Sequence, residues 1–238
     1  MSPKKNTLIL IPVFNEVDRI GAVIRGVRQH APQADILIVD DGSGDGTPQS
    51  LENETAHLIR HPFNLGVGTA LQTGYKYAVR EGYEYLIQLD GDGQHDPAYL
   101  PAFYSSLSGG DADVVIGSRF LANDEYTMSF PRRMGGRIFS ILLSLLIHEK
   151  ITDPTSGYRA MKRRVLDFCI GDEYGFDYPD ADFLLTLHRS GFTLTEIPVK
   201  ISARSGGQSQ HRGLRPVYYL LKMFLSIFII LLRKKSVK

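Results

Sequence analysis

The sequence predicts an α/β fold, a mostly parallel sheet flanked by helices. Short apolar runs carry the first half of that prediction: Thr7–Val13 (TLILIPV), DILIVD at 35–40, AHLIR at 56–60, EYLIQLD at 84–90 and ADVVIG at 112–117. Runs this uniformly hydrophobic suit strands covered on both faces rather than strands with one wet face. Segments with apolar residues at helical spacing separate the strands, and such alternation implies right-handed crossovers and parallel pairing.

Each element has its own signal. The first run follows a basic beginning and mimics a signal peptide, but Pro12 interrupts it, Asn15 and Glu16 follow, and it lacks a small-residue cleavage site. It therefore predicts a buried first strand. Val17, Ile20, Val23, Ile24 and Val27 repeat at helical spacing, and Val67–Glu81 predicts another helix. In the second half, Arg132–Ile147 predicts an apolar helix with a basic start. DPTSGYRAMKRRVLDF (153–168) predicts a turn and a short helix, FTLTEIPVKI (192–201) a strand, and ARSGGQSQHRG (203–213) a loop with basic punctuation. Val217–Leu232 closes the pattern before the tail RKKSVK.

The totals set limits. A chain of 238 residues, 43% of them hydrophobic, suits one large domain or a domain with an appendage. The expected division is 1–210 for the α/β domain and 211–238 for an apolar helix with a basic tail. A net charge of +1 provides no global field toward nucleic acid, so no nucleic-acid partner is expected. Cys169 is the only cysteine, which excludes an intramolecular disulfide and a Cys-rich zinc site and predicts a reducing, cytoplasmic compartment.

In parallel sheets of this kind, ligands bind beyond the carboxyl ends of the strands. Asn15–Glu16, Asp40–Asp41 and Asp90–Asp92 fall at three such ends. In LIQLDGDGQHDP (86–97), carboxylates crowd so closely that they repel unless a cation sits between them. Gly91 and Gly93 let the backbone approach a ligand. Carboxylates with an amide oxygen, Gln94, suit Mg2+ or Mn2+ completed by waters and substrate phosphates. His95 is expected in a structural or supporting role.

Two competing readings of the loops weaken on inspection. From Asp41, the segment DGSGDGTPQSLE matches a calcium loop of the EF-hand pattern, with Asp41, Ser43, Asp45, Gly46 and Glu52 in place. A strand precedes it where a helix is required, however, and Pro48 cannot donate the backbone hydrogen bond that pairs such loops. A Gly-rich turn with Thr47 capping a helix accounts for Gly44, Gly46 and Thr47. After the first strand, PVFNE lacks the G-x-G-x-x-G that wraps a dinucleotide pyrophosphate.

Taken in order, PVFNE, DDGS, NLGVGTA, DGDGQHDP, GSR and DPTSGYR resemble the inverting family 2 glycosyltransferases, most nearly the polyprenyl-phosphate (dolichyl-phosphate-type) sugar transferases. The resemblance spans about Leu8–Ser209 and implies the nucleotide-sugar-binding GT-A fold. It implies a nucleoside-diphosphate-sugar donor, a polyprenyl phosphate acceptor and Mg2+ or Mn2+. By the same resemblance Pro12, Phe14, Glu16, Val39 and Asp41 would line the base and ribose pocket, and Asp90 with Gly91 would lie by the ribose and diphosphate. Asp92 and Gln94 would hold the metal, Arg119 and Arg132 would face phosphates, and Arg204 would belong to a basic loop over the site. The family often has Lys after the second Ser of that loop, where this chain has Gln210.

The acceptor stays open at this level. A hydroxyl needs a carboxylate base, for which Asp177, Asp180 and Asp182 are candidates, whereas a phosphate monoester with a second pKa near ~6 does not. Arg119, Arg132, Arg133 and Arg204 favour an anionic acceptor. Val217–Leu232 would span roughly 24 Å as a helix, short of a ~30 Å hydrocarbon core, and it carries Lys222. An interfacial helix at the cytoplasmic membrane face is expected, with Arg132–Ile147 as a second; a small membrane-protein partner would fit equally well. A saccharide-extending transferase and a non-catalytic sugar-nucleotide- or calcium-binding protein remain as alternatives. Sugar and base are not legible.

Overall fold

The computed structural model describes residues 6–52, 54–121, 130–171, 180–202 and 215–232. In chain order the elements are β1 (Thr7–Val13), α1 (Ile20–His30), β2 (Asp35–Asp40), α2 (Thr47–Ser50), β3 (His57–Arg60), α3 (Val67–Glu81), β4 (Tyr85–Gln88), a 3-10 turn (Pro97–Tyr99), α4 (Leu100–Gly109) and β5 (Val114–Ser118). There follow α5 (Phe130–Ile147), β6 (Arg159–Lys162), α6 (Arg163–Cys169), α7 (Ala181–Arg189), β7 (Leu194–Pro198) and α8 (Arg215–Leu232). One seven-stranded sheet runs in the order β3-β2-β1-β4-β6-β5-β7. β6 pairs antiparallel with both β4 and β5, and the other pairs are parallel.

The uniform hydrophobicity of β1 has a direct cause: it is buried on both faces. Leu8 and Leu10 point into a core with α3, α5, α6, α7 and α8, while Ile9, Ile11 and Val13 point into a second core with α1 and α4. The sheet is thus the middle of three layers, as continuous apolar strands require. α1 offers Ile20, Val23, Ile24 and Val27 to its core, the spacing read from the sequence. α3 approaches β1 so closely that a Cβ on Gly74 would stand 2.4 Å from the Leu10 methyls.

Three departures from the sequence expectations have physical reasons. β3 is an edge strand, and Leu58 there is 42% exposed, so AHLIR is not covered on both faces. The stretch 153–168, expected as a turn and a short helix, holds that helix as α6 but also strand β6 before it. Arg159 opens the strand and disguises its alternation, yet that side chain is 1% exposed, donates to the Pro154 carbonyl at 2.9 Å and lies over the Phe183 ring. Ala160 and Met161 then face opposite cores as strand neighbours must. Finally, the predicted helix cap at Thr47 is not formed: Gly46, in the left-handed region, precedes α2, and the Thr47 hydroxyl bonds Asp45 instead.

Strand order reverses between β1 and β4, and ligand crevices of α/β sheets open at such a reversal. Gln88, 3% exposed at the end of β4, fastens the next part of the crevice. Its amide accepts the Tyr75 hydroxyl at 2.5 Å and donates to the Gly157 carbonyl at 2.9 Å. Gln88→Leu would strip the half-buried Gly157 carbonyl of its donor and the buried Tyr75 hydroxyl of an acceptor. The expected loss is about 1–3 kcal/mol of stability, read as a lowered denaturant midpoint at unchanged m-value.

Candidate active site

The ends of β1, β2 and β4 are locked together by backbone bonds. Asp41 N–H donates to the Val13 carbonyl at 2.9 Å, and Leu89 N–H to the Leu10 carbonyl at 3.1 Å. A Cβ on Gly91 would meet Val13 Cγ1 at 2.6 Å and the Pro12 carbonyl at 3.3 Å, so glycine is what lets the acidic loop pass β1. Asn15, at φ +57°, reaches the loop after β2: its N–H donates to Ser43 Oγ and its amide oxygen accepts Gly44 N–H. Glu16 N–H donates to Thr47 Oγ1, and Val17 N–H to Asp45. Asp45 makes these bonds while staying exposed, and strand β2 precedes the loop where an EF-hand has a helix.

Among residues assigned to the base and ribose, Pro12 pairs in register with Val39, whose side chain is buried in the core. Phe14 is 38% exposed. Glu16 is buried and pairs with Arg19 at 2.5 Å. Asp41, also buried, accepts His61 Nδ1 at 2.8 Å, Leu65 N–H at 2.9 Å and Gly66 N–H at 2.8 Å. Its carboxylate thus shapes the 61–66 loop that leads into α3. His61 also reaches Thr73 Oγ1 at 3.0 Å, tying this loop to the helix. Asp40, beneath, accepts Ser43 N–H and pairs with Arg60 at 3.2 Å.

The acidic loop after β4 is held from three sides. Asp92 accepts Gln94 N–H at 3.0 Å, which fixes its carboxylate beside the chain. Gln94 exchanges bonds with Ser202, accepting its N–H at 3.0 Å and donating its side-chain amide to its carbonyl at 3.2 Å. The amide nitrogen is thereby engaged by the Ser202 carbonyl. His95 is buried, stacks on Tyr158 at 4.9 Å and accepts Asp90 N–H through Nδ1. Burial pushes His95 down to about 4; Arg119 acts in the same direction, and Asp92 and Asp153 oppose it. A neutral ring that buttresses the loop matches the supporting role expected of it. Among the described residues no group of three His, Cys, Asp or Glu forms a metal cage. The side chains of Asp90, Asp92 and Gln94 would offer oxygen donors only, the type that suits a hard divalent ion sharing its sphere with water and phosphate.

Arg119 faces this loop from the end of β5. Asp153 Oδ2 accepts its Nε at 2.6 Å and its backbone N–H at 3.0 Å, and Asp153 Oδ1 accepts Nη2 at 2.7 Å. Thr155 Oγ1 accepts Nη2 as well, at 2.9 Å. This bidentate fork sets the plane of the guanidinium. Behind it, Glu196 of β7 accepts Thr152 N–H, Thr152 Oγ1–H and Asp153 N–H, each at 2.8 Å. Burial pushes the Glu196 carboxyl up, with the charge of Asp153 adding to the effect and the donors from Thr152 and Asp153 opposing it. Asp153, Thr155 and Glu196 were not singled out from the sequence. The signal was present in DPTSGYR and in the lone acid of FTLTEIPV, but only the fold shows that the two meet.

Arg132 stands in the first turn of α5, where only the backbone is described. Arg204, Gln210–Arg212 and Asp177 lie outside the described residues. Asp180 is buried, and Asp182 accepts Ser226 Oγ of α8 at 2.6 Å, which ties α7 to α8.

A three-layer α/β fold with an acidic Asp-x-Asp-x-Gln loop at the switch point and an arginine opposite defines a nucleotide-sugar-transferase architecture. Residues 8–169 match the model of glycosyl transferase family 2. The chain belongs to this family and is a glycosyltransferase. It is 31% identical over 222 residues to the polyprenol monophosphomannose synthase of Mycolicibacterium smegmatis, covering 89% of this chain and 83% of that protein. It is 29% identical to the undecaprenyl-phosphate mannosyltransferase of Micrococcus luteus, covering 87% of each. Among solved structures, glucosyl-3-phosphoglycerate synthase of Mycobacterium tuberculosis with Mn2+, UDP and glucosyl-3-phosphoglycerate superposes with a TM-score of 0.66 at 18% identity, over 98% of this chain and 80% of that one. The GT-A fold expected from the sequence is therefore present.

The Asp41 contacts generate a test. Asp41→Ala leaves two backbone donors and His61 without their shared acceptor and is expected to cost about 2–4 kcal/mol. Amide exchange at Leu65 and Gly66 should accelerate well before exchange in β1 does; equal protection at both sites would refute the assigned role.

Proposed function

We propose that the chain moves a hexose from a nucleoside-diphosphate sugar to the phosphate of a polyprenyl phosphate, with inversion, at a membrane surface, in cell-envelope or glycan biosynthesis. Mannose is favoured because both named relatives act with it. The observation that carries this reading is the pairing of two features. An acidic loop faces a clamped Arg119 at one sheet edge, and α5 and α8 expose a broad apolar face.

In this reading Asp92 and Gln94, with Asp90 adjoining, hold a divalent cation, Mg2+ or Mn2+, and the donor diphosphate. Bound there, the ion supplies Lewis-acid neutralisation of the leaving group. Pro12, Phe14, Glu16 and the loop shaped by Asp41 form the nucleoside side, with Val39 behind them and Gly91 giving backbone access. Arg119, with Arg132 and Arg204 completing the basic side, orients the acceptor phosphate. An acceptor oxygen attacks the anomeric carbon, and the bond from that carbon to the diphosphate oxygen breaks on the opposite face. The phosphate is already mostly dianionic at neutral pH, so no carboxylate base is required. Asp182, bonded to Ser226, is consistent with that economy.

The apolar face supports the lipid acceptor. α8 buries Met223 and Ile227 but exposes Leu221, Phe224, Leu225, Phe228 and Leu232, while α5 exposes Met134, Ile138, Ile141 and Leu145. Phe139 and Phe224 meet at 5.5 Å, so the two helices are neighbours. Among the described residues no helix is long and apolar enough to cross a membrane. A peripheral or monotopic seat on the bilayer, with residues 211–238 as the membrane-associating segment, accommodates such an exposed face.

Purified protein offered labelled GDP-mannose, UDP-glucose and UDP-N-acetylglucosamine, with undecaprenyl phosphate and Mg2+ or Mn2+, should yield one lipid-extractable product. Turnover on free saccharides that ignores the lipid would refute the reading. Asp92→Ala is expected to lower kcat on the order of a thousandfold. For the membrane seat, Leu225→Glu with Phe228→Glu should reduce sedimentation with vesicles containing anionic lipid by about tenfold while leaving GDP binding intact; retained sedimentation would show that α8 is not the docking surface.

A further inference from the structure

We propose that Glu196 is a positioning residue for Arg119, acting through the backbone of Thr152 and Asp153. The inference rests on the proposed role of Arg119 at a phosphate and adds a residue on a different strand to that machinery.

Connectivity carries it. β7 pairs with β5 so that Glu196 stands opposite Ile116, below the strand end from which Arg119 departs. Both carboxylate oxygens of Glu196 are directed at the segment before Pro154: Oε2 takes the Thr152 N–H and hydroxyl, and Oε1 takes the Asp153 N–H. Because the Thr152 hydroxyl donates to Glu196, it accepts from Ser118, whose own oxygen accepts Phe120 N–H. Arg119 is thus bracketed by residues on both sides that lead back to Glu196. Asp153, fully buried, transmits the placement through its fork on Nε and Nη2. The fork occupies the Nε–Nη2 edge of the guanidinium and so fixes its plane.

The arrangement is expensive for a mere loop fastening. Two carboxylates stand in succession behind one guanidinium, and a half-buried acid beside a second acid carries a desolvation cost. What two acceptor oxygens achieve, and one amide cannot, is to hold both successive N–H groups at once. Glu196→Gln keeps the volume but sets an NH2 group against one of those donors, releasing Thr152 or Asp153 while the core around β7 is preserved.

Calorimetric titrations with geranyl phosphate, an isoprenoid monophosphate, and separately with GDP in Mg2+ test this. Glu196→Gln is expected to weaken geranyl phosphate about tenfold and GDP less than about twofold. In an Arg119→Ala background the same substitution should have no further effect, since residues acting as a unit are not additive. Equal weakening of both ligands, or the full loss persisting without Arg119, overturns the proposal. A structural readout separates it from the functional reading. If Arg119→Ala leaves geranyl phosphate binding intact, the phosphate role fails; positioning is still judged by hydrogen exchange at Arg119 Nε, which Glu196→Gln should speed about tenfold. Unchanged exchange refutes positioning. Should Glu196→Gln fail to fold, Thr152→Val, which removes only the hydroxyl leg, is expected to shift the same readouts about threefold in the same direction, and no shift counts against the proposal.

Discussion

The constraint on which this molecule depends is the crowding of carboxylates at one edge of a buried sheet. Asp40, Asp41, Asp90, Asp92 and Asp153 all gather there, and a buried carboxylate is tolerated only with compensating charge or donors. The fold sorts them by how they are compensated. Asp40 has Arg60 and Ser43 N–H, Asp41 has two backbone donors and His61, and Asp153 has Arg119. These three, all buried, build walls and clamps. Asp90 and Asp92 are only partly buried, so water shares in their compensation.

The antiparallel insertion of β6 explains how the second wall arises. Placed between β4 and β5, it sets the strand that leads to the acidic loop and the strand that leads to Arg119 one position apart. The segment that feeds β6 then supplies the contacts across that gap. Gly157 is held by Gln88, Tyr158 stacks on His95 and donates to the Asp96 carbonyl, and Asp153 takes Arg119. A single stretch therefore sets the spacing of both sides.

Much of this was legible in the residues. The two-sided burial of β1 and β2 follows from their unbroken apolar runs, and the strand-end positions of Asp41 and Asp92 follow from where those runs stop. The ordered motifs carried the family. What was hidden depended on contacts between residues far apart in sequence. β6 does not read as a strand because charged Arg159 and Lys162 bracket two apolar residues, and only the Pro154 carbonyl and the Phe183 ring make the arginine a core residue. That Asp41 also gathers the 61–66 loop is visible only once that loop folds onto it. Glu196 looks like an exposed strand residue until Thr152 and Asp153 arrive.

The charge balance of the Arg119 cluster bears on how an anionic acceptor is received. Asp153 already matches the charge of Arg119, so the pair offers an incoming phosphate direction more than net attraction. A dianion approaching the half-buried Asp90 and Asp92 meets repulsion that this pair alone does not offset. In the proposed reading neutralisation comes from a divalent ion at Asp92 and Gln94 on the donor side and from further cations on the acceptor side. Arg132, at the start of α5, stands at the head of the helix whose far face is apolar. A lipid phosphate delivered along that face would meet the fixed guanidinium with its charge outward and its chain in the bilayer, whereas a water-soluble saccharide would have no use for the exposed leucines and phenylalanines. Electrostatics and the apolar face therefore argue for one acceptor that is both anionic and greasy.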